Sequence, residues 1–253
     1  MLNEETYDKI VAMQLHGLAA AFKAYLDQIH GRDELAFEER FGIFVDREWT
    51  ERQQRRLTNR LKSAKLREPA CMEDVNYRDP RGLDRSVMQR LATCHWVKSH
   101  DAVLITGATG VGKTWIACAL AHQACREGYT SAYARIPRLA TNLGIARADG
   151  SYMSKLTRLA KADVLILDDW GLVPMTEVDR HDMLEIVEDR YGLRSTIVTS
   201  QIPVSKWHDT VGDPTIADAI LDRLIHRAHR IEMKGKSLRK DEDKKKKEED
   251  VDE

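Results

Sequence analysis

Residues 107–114 read GATGVGKT. Three glycines in eight residues, closed by Lys113 and Thr114, fit the phosphate-loop pattern G-x-x-x-x-G-K-[ST], which ties a strand to a helix around an anion. Backbone N–H groups must converge on phosphate oxygens there, and a side chain on the glycines would block the approach. The apolar run AVLI (102–105) supplies the strand before the loop, and WIACALAHQAC (115–125) supplies the helix after it. That helix turns its N-terminal N–H groups and the positive end of its dipole toward the same anion. Gly107, Ala108, Thr109, Gly110, Val111, Gly112, Lys113 and Thr114 are therefore the expected nucleotide cradle. Lys113 reaches the β- and γ-phosphates, and the Thr114 hydroxyl is placed to ligate Mg²⁺.

Such a loop needs a second acid to hold the metal shell, at the end of an adjacent strand. DVLILDDWG (163–171) offers Asp168 for Mg²⁺ and Asp169 to orient or deprotonate the attacking water. A helix cap or turn is the plainer use of two acids after a strand, and the phosphate loop tips the balance toward chemistry. Hydrolysis also needs a group that senses the γ-phosphate and a cation for the developing charge. TIVTSQIP (196–203) sets Thr199, Ser200 and Gln201 at the same sheet edge, because parallel strands expose their C-terminal ends together. Among Arg223, Arg227, Arg230 and Arg239, spacing alone does not choose.

From residue 101 onward short apolar runs alternate with helical segments: AVLI (102–105), SAYA (131–134), VLIL (164–167), TIVT (196–199) and HRIEM (229–233). That alternation predicts an α/β core with a parallel sheet covered on both faces. Ahead of it, residues 6–30 carry apolar side chains at three- and four-residue steps and read as one amphipathic helix, followed by a turn at 30–34. The stretch 47–67 holds eight Lys/Arg against two Glu, with Arg52, Arg56, Arg60 and Arg67 on one helical face. A solvated face is the plain reading; a stripe along a DNA phosphate backbone is the functional one. Residues 83–98 read as helical. The expected domains are a helical N-terminal domain at 1–67, a linker at 68–82, an ATPase core at 83–240 and a disordered charged tail at 241–253.

The charged fraction of 32% calls for a heavily solvated surface, and the net charge of −1 says nothing about a polyanionic partner. No apolar run approaches a membrane span, and the acidic start lacks a signal-peptide core. Cys71, Cys94, Cys118 and Cys125 show no metal-ligand spacing, so reduced thiols in a cytoplasmic protein are expected.

Taken together, LITGATGVGKTWIACALA, ADVLILDDWG, TIVTSQIPVSKWHD and ILDRLIHRAHRIEMKGKSLR resemble the IstB-like ATP-binding proteins, ATPase helpers of insertion-sequence transposases and relatives of DnaC-type helicase loaders. The resemblance covers about residues 1–240. It implies an AAA+ P-loop fold with a five-stranded parallel sheet in the order 5-1-4-3-2, preceded by a small all-helical domain. It implies ATP and Mg²⁺ as cofactors, ATP-dependent homo-oligomerisation on duplex DNA, and engagement of a transposase. Carried onto this chain, Gly107, Gly112, Lys113 and Thr114 match Walker A, and Asp168 and Asp169 match Walker B. Gln201 falls at the sensor-1 position, Arg223 matches an arginine finger acting on a neighbouring subunit, and Arg239 matches sensor 2. Many relatives in the wider class have Glu where Asp169 stands, and Asp is one methylene shorter.

Other readings stand beside this one. A helicase loader would share the ATPase parts and respond to single-stranded DNA. A small-molecule kinase would need an acceptor pocket and a mobile lid. An ATP-holding switch would not turn over. Tyr77, just ahead of the core, is a candidate neighbour of the adenine.

Overall fold

The computed structural model describes residues 2–27, 35–77 and 81–238. The predicted turn at 30–34, the tail at 241–253 and Arg239 lie outside the described residues.

The chain divides into two compact units, residues 1–59 and 60–253. The first contains α1 (Leu2–Ala12), α2 (His16–Asp27) and most of α3 (Phe37–Ala64). The single helix expected over 6–30 is therefore two, broken at Met13–Leu15, with Gln14 at φ 59°. The break lets α2 start against α3. The Gly17 and Leu18 N–H groups, which have no partner inside their own helix, donate to Glu48 Oε2 at 2.8 and 3.1 Å. A Cβ on Gly17 would lie 2.6 Å from the Arg47 carbonyl oxygen, so this crossing admits only glycine. Burial raises the Glu48 pKa, but the Arg52 guanidinium and the two N–H groups outweigh it and carry the carboxyl below its usual value. Phe22 and Tyr25 pack edge-on against Phe44 at ring distances of 6.1 and 5.8 Å.

The division falls inside α3, ahead of the residue 67 read from the sequence. The last turns of that helix belong to the second unit: Arg60 Nε donates to the Cys125 carbonyl at 2.9 Å, Ala64 is buried, and Leu66 packs on the core. A short 3₁₀ turn (Met72–Asp74) follows, then α4 (Arg85–Ala92) and α5 (His95–Lys98). The predicted helix over 83–98 is interrupted at Cys94, φ 56°; Asp84 caps α4 by accepting from the Ser86 and Val87 N–H groups.

The sheet comprises β1 (Ala102–Gly107), β2 (Ser131–Arg135), β3 (Val164–Trp170), β4 (Ser195–Ser200) and β5 (Ala228–Met233). Every neighbouring pair is parallel, and the order is β2-β3-β4-β1-β5, the expected 5-1-4-3-2 read from the other edge. Alternate residues face opposite sides. Val103, Ile105, Ile166 and Ile197 pack with Ile116 and Leu120 of α6 (Lys113–Arg126) on one face. Leu104, Leu165, Leu167 and Val198 meet α7 (Ile136–Asp149), α8 (Tyr152–Lys161), α9 (Glu177–Arg190), α10 (Trp207–Val211) and α11 (Pro214–Ile225) on the other. Burial on both faces is why these strands read as unbroken apolar runs rather than alternating ones.

β3 and β4 keep register through Leu167 and Val198 and resume at Trp170 and Ser200. Asp168 and Asp169 thus stand opposite Thr199 alone, a bulge that re-aims both carboxylates at the strand end.

Candidate nucleotide site

β1 ends at Gly107 and the loop closes on α6, whose cap residue Gly112 sits at φ 96°, a backbone region other residues rarely adopt. Gly107 has a different reason to lack a side chain: its Cβ would fall 2.1 Å from the Met233 carbonyl oxygen at the end of β5. The chain after β5 lies on the loop, with the Leu238 N–H donating to the Gly110 carbonyl at 3.0 Å. Lys113 is buried and its Nζ donates to the Ala108 carbonyl at 2.8 Å.

The Asp168 carboxylate meets the loop directly. Thr114 Oγ1 donates to Asp168 Oδ1 at 2.8 Å, and the Thr199 hydroxyl donates to the same oxygen at 2.5 Å. Thr199 Oγ1 also accepts the Asp169 N–H at 3.2 Å, so one hydroxyl holds both members of the bulge. Asp169 has φ 65°, a left-handed conformation that Asp tolerates better than longer side chains do. Gln201 Oε1 accepts from the Thr109 hydroxyl at 2.7 Å, tying the end of β4 to the loop. A cavity of about 580 Å³ lies over these groups, lined by Lys113, Thr114, Asp169, Gln201, Arg81 and Leu238 among others. Its size suits a nucleotide. A fully buried carboxylate paired with a hydroxyl offers hard oxygen donors of the kind Mg²⁺ takes.

The remaining predicted residues are scattered. Arg223, near the end of α11, is held by Glu188 Oε1 at 2.6 Å and donates to the Ala219 carbonyl at 2.7 Å. It lines a recess with Ala102 and Thr196, the starting ends of β1 and β4, opposite the ends that carry the phosphate loop. Arg52 pairs with Glu48 within α3 at 2.6 Å, and Arg56 is exposed on the same helix. Arg60, as above, is bonded to Cys125. Arg67 does not continue the stripe: α3 stops at Ala64, and Lys65 at φ 51° turns the chain. The Arg67 guanidinium lies instead 3.7 Å from Asp168 Oδ2. Tyr77 is capped by the Arg85 guanidinium, 5.8 Å from its ring, while Asn76 and Arg81 line the cavity.

The IstB-like ATP-binding protein family matches residues 8–247. This chain belongs to that family. It is 50% identical over 245 residues to an insertion-sequence ATP-binding protein of Sinorhizobium fredii, covering 97% of this chain and 100% of the relative. It is 32% identical over 233 residues to the IS21 ATP-binding protein of Pseudomonas aeruginosa, covering 92% of this chain and 88% of that one. Among solved structures it resembles DnaI (TM-score 0.58, 23% identity, 66% of this chain and 92% of the other). It also resembles the DnaC helicase loader (TM-score 0.56, 19% identity, 68% of this chain and 100% of the other). These two likenesses are of fold.

This IstB-like chain adds three site residues that its sequence motifs do not mark. Tyr133, midway along β2, donates its hydroxyl to Asp168 Oδ2 at 2.6 Å. Burial and that bond push its pKa well above the usual phenol value. Arg135, at the end of the same strand, donates Nε to Asp169 Oδ2 at 2.6 Å. Arg67 completes the set; its bond to Tyr133, ahead of the nearby Asp168 charge, raises its pKa. The signal for Arg135 is its place as the last residue of a strand that pairs with β3, directly across from Asp168. Among the described residues no helix is long and apolar enough to cross a membrane.

Proposed function

We propose that this protein is a Mg²⁺-dependent ATPase of DNA transposition, working in the cytoplasm as a homo-oligomer assembled on duplex target DNA, where it recruits or stimulates a transposase. The observation that carries this reading is the Thr114–Asp168 contact beneath a phosphate loop, in a chain whose full-length relatives are insertion-sequence ATP-binding proteins.

The residues divide the work. The loop N–H groups and the start of α6 hold the phosphates, and Lys113 adds a charge at the β- and γ-phosphates. Thr114 and Asp168 would hold Mg²⁺, which supplies positive charge against the phosphate oxygens when bound. Asp169 orients or deprotonates the water, and Gln201 hydrogen-bonds the γ-phosphate or that water. Arg223 lies at the wrong strand ends to serve its own loop, so it acts on ATP held by a neighbour, and isolated subunits lack one charge. Arg239 follows Leu238, which rests on the loop, and acts as the second sensor. Arg52, Arg56 and Arg60 supply phosphate contacts to DNA, contacts that position the protein without reading sequence.

The test is the rate of ATP hydrolysis without DNA, with duplex and with single strands. Stimulation by duplex is the expected result. Stimulation by single strands only would replace this reading with a helicase loader, and no turnover under any of the three conditions would overturn the ATPase.

A further inference from the structure

Arg67 and Arg135 face two cavities. One is the nucleotide cavity. The other is a groove of about 1140 Å³ where the end of β2 meets α7 and α8, lined by Lys65, Arg67, Arg135, Arg138, Lys155 and Arg158. No acidic residue among the described ones lines it. Among the described residues Lys65, Arg138, Lys155 and Arg158 form no ion pair, whereas Arg67 faces Asp168 and Arg135 holds Asp169. Tyr133 stands in the same wall, lining the groove and donating to Asp168.

Six cations converge here, four of them without an ion-pair partner among the described residues, and they form a field that favours an external anion. A nucleoside triphosphate already has its own loop next door. The chemistry that matches a row of separate cations is a row of separate monoanions, the phosphodiesters of a nucleic acid backbone. Guanidinium groups bond phosphate with the same planar geometry that they use for carboxylate, so a phosphate in the groove competes for Arg67 and Arg135 on even chemical terms.

We propose that this groove binds the phosphodiester backbone of DNA, and that the bound phosphates draw Arg135 from Asp169 and Arg67 from beside Asp168, freeing the Asp169 carboxylate for ATP hydrolysis. While Arg135 donates to Asp169 Oδ2, one acceptor position of that carboxylate is taken and its orientation is fixed; once released, the carboxylate turns to accept from the attacking water. DNA occupancy and turnover are thereby joined through one wall of side chains. The inference rests on the DNA-dependent reading above, and it places a second set of DNA contacts along β2, α7 and α8, separate from Arg52, Arg56 and Arg60.

Two variants of the full chain test it. Arg138→Glu/Lys155→Glu/Arg158→Glu reverses the groove away from the nucleotide cavity. It is expected to lower the salt dependence of duplex binding, reducing the log–log slope by about 2 to 3, and to bring the ratio of hydrolysis with duplex to hydrolysis without it close to one. Arg135→Met is expected to raise the DNA-free rate several-fold and lower the same ratio. Binding of a non-hydrolysable ATP analogue reports a folded nucleotide site; should the triple variant lose it, the single exposed substitution Arg158→Glu takes its place, with a slope reduced by about 1. A groove variant that binds the analogue and keeps the wild-type slope and ratio would overturn the groove alone. A fall in the DNA-free rate of Arg135→Met would show a helper of Asp169 rather than a restraint, and would overturn the release step. Wild-type protein that neither binds duplex nor responds to it would remove the functional reading and this inference together.

Discussion

Thr114 and Asp168 stand 54 residues apart in the chain and share a 2.8 Å hydrogen bond. The first turn of α6 and the end of β3 therefore present a hydroxyl and a carboxylate to the same small volume. Asp168→Asn should keep nucleotide binding and lose roughly 10²–10³ in hydrolysis rate. Chelation of Mg²⁺ should produce the same loss in the wild type. Steady-state hydrolysis set beside binding of a fluorescent nucleotide measures both; an Asp168→Asn protein with near wild-type turnover would remove Asp168 from the site.

Arg223 is tied to Glu188 at 2.6 Å and sits by the starting ends of β1 and β4, away from the strand ends that carry its own loop. Arg223→Ala should bind ATP and fail to hydrolyse it. Lys113→Ala should fail at its own loop yet keep its arginine. Mixing the two inactive proteins should restore measurable hydrolysis, because an intact loop then meets an intact arginine from another subunit. Silence from the mixture, or turnover by wild-type protein shown to stay monomeric, would remove the shared site.

Gly17 and Gly42 offer a paired test of packing. A Cβ at Gly17 would strike the Arg47 carbonyl and Glu48 backbone, whereas a Cβ at Gly42, inside α3, meets nothing within 4 Å. Gly17→Ala should destabilise the N-terminal unit by about 1–3 kcal/mol, and Gly42→Ala should stabilise it by about 0.5–1 kcal/mol. Thermal unfolding of the two proteins checks the opposite signs.

The cysteines predict an order of reactivity. Cys94, Cys118 and Cys125 are buried, and Cys71 is partly exposed. Burial pushes the Cys94 thiol up to about 11 from an ordinary value of 9.0. In native protein at neutral pH a thiol reagent should modify Cys71 first and leave Cys94 intact, since the thiolate is the reactive form. The same shift sets a sign for stability: the folded state holds the Cys94 proton more tightly than the unfolded state. Its contribution is complete below about 9 and is lost as pH rises through about 11. Rapid labelling of Cys94 in folded protein at neutral pH would contradict this placement.

The legibility of the fold followed what each residue needs from its neighbours. VLIL and TIVT announce buried strands because both of their faces are apolar, and GATGVGKT announces its turn because few other residues fit there. The strand order came with the family resemblance, not from periodicity. The break at Met13–Leu15 was hidden because α1 and α2 carry apolar stripes in nearly matching phase; only the approach of Glu48 to Gly17 requires it. Arg67 looked like the next member of a basic helix face, and a positive φ at Lys65 sends it elsewhere. Arg135 and Tyr133 became site residues only through the pairing of β2 with β3, a long-range fact that no local pattern encodes.

The sheet order also sets a timetable. β1, which carries the phosphate loop, has β4 and β5 as its partners, and those strands are made at residues 195–200 and 228–233. Walker A leaves the ribosome long before either arrives, with no neighbour on either side and with Asp168 still to be synthesised. The seat on which Gly107 rests is the Met233 carbonyl. A nascent chain therefore gains its grip on nucleotide late in translation, after β4 and β5 have paired on the two sides of β1. Stalled chains that end before β5 would emerge as apolar strands without the ligand that could hold them together, and they are the natural clients of chaperones.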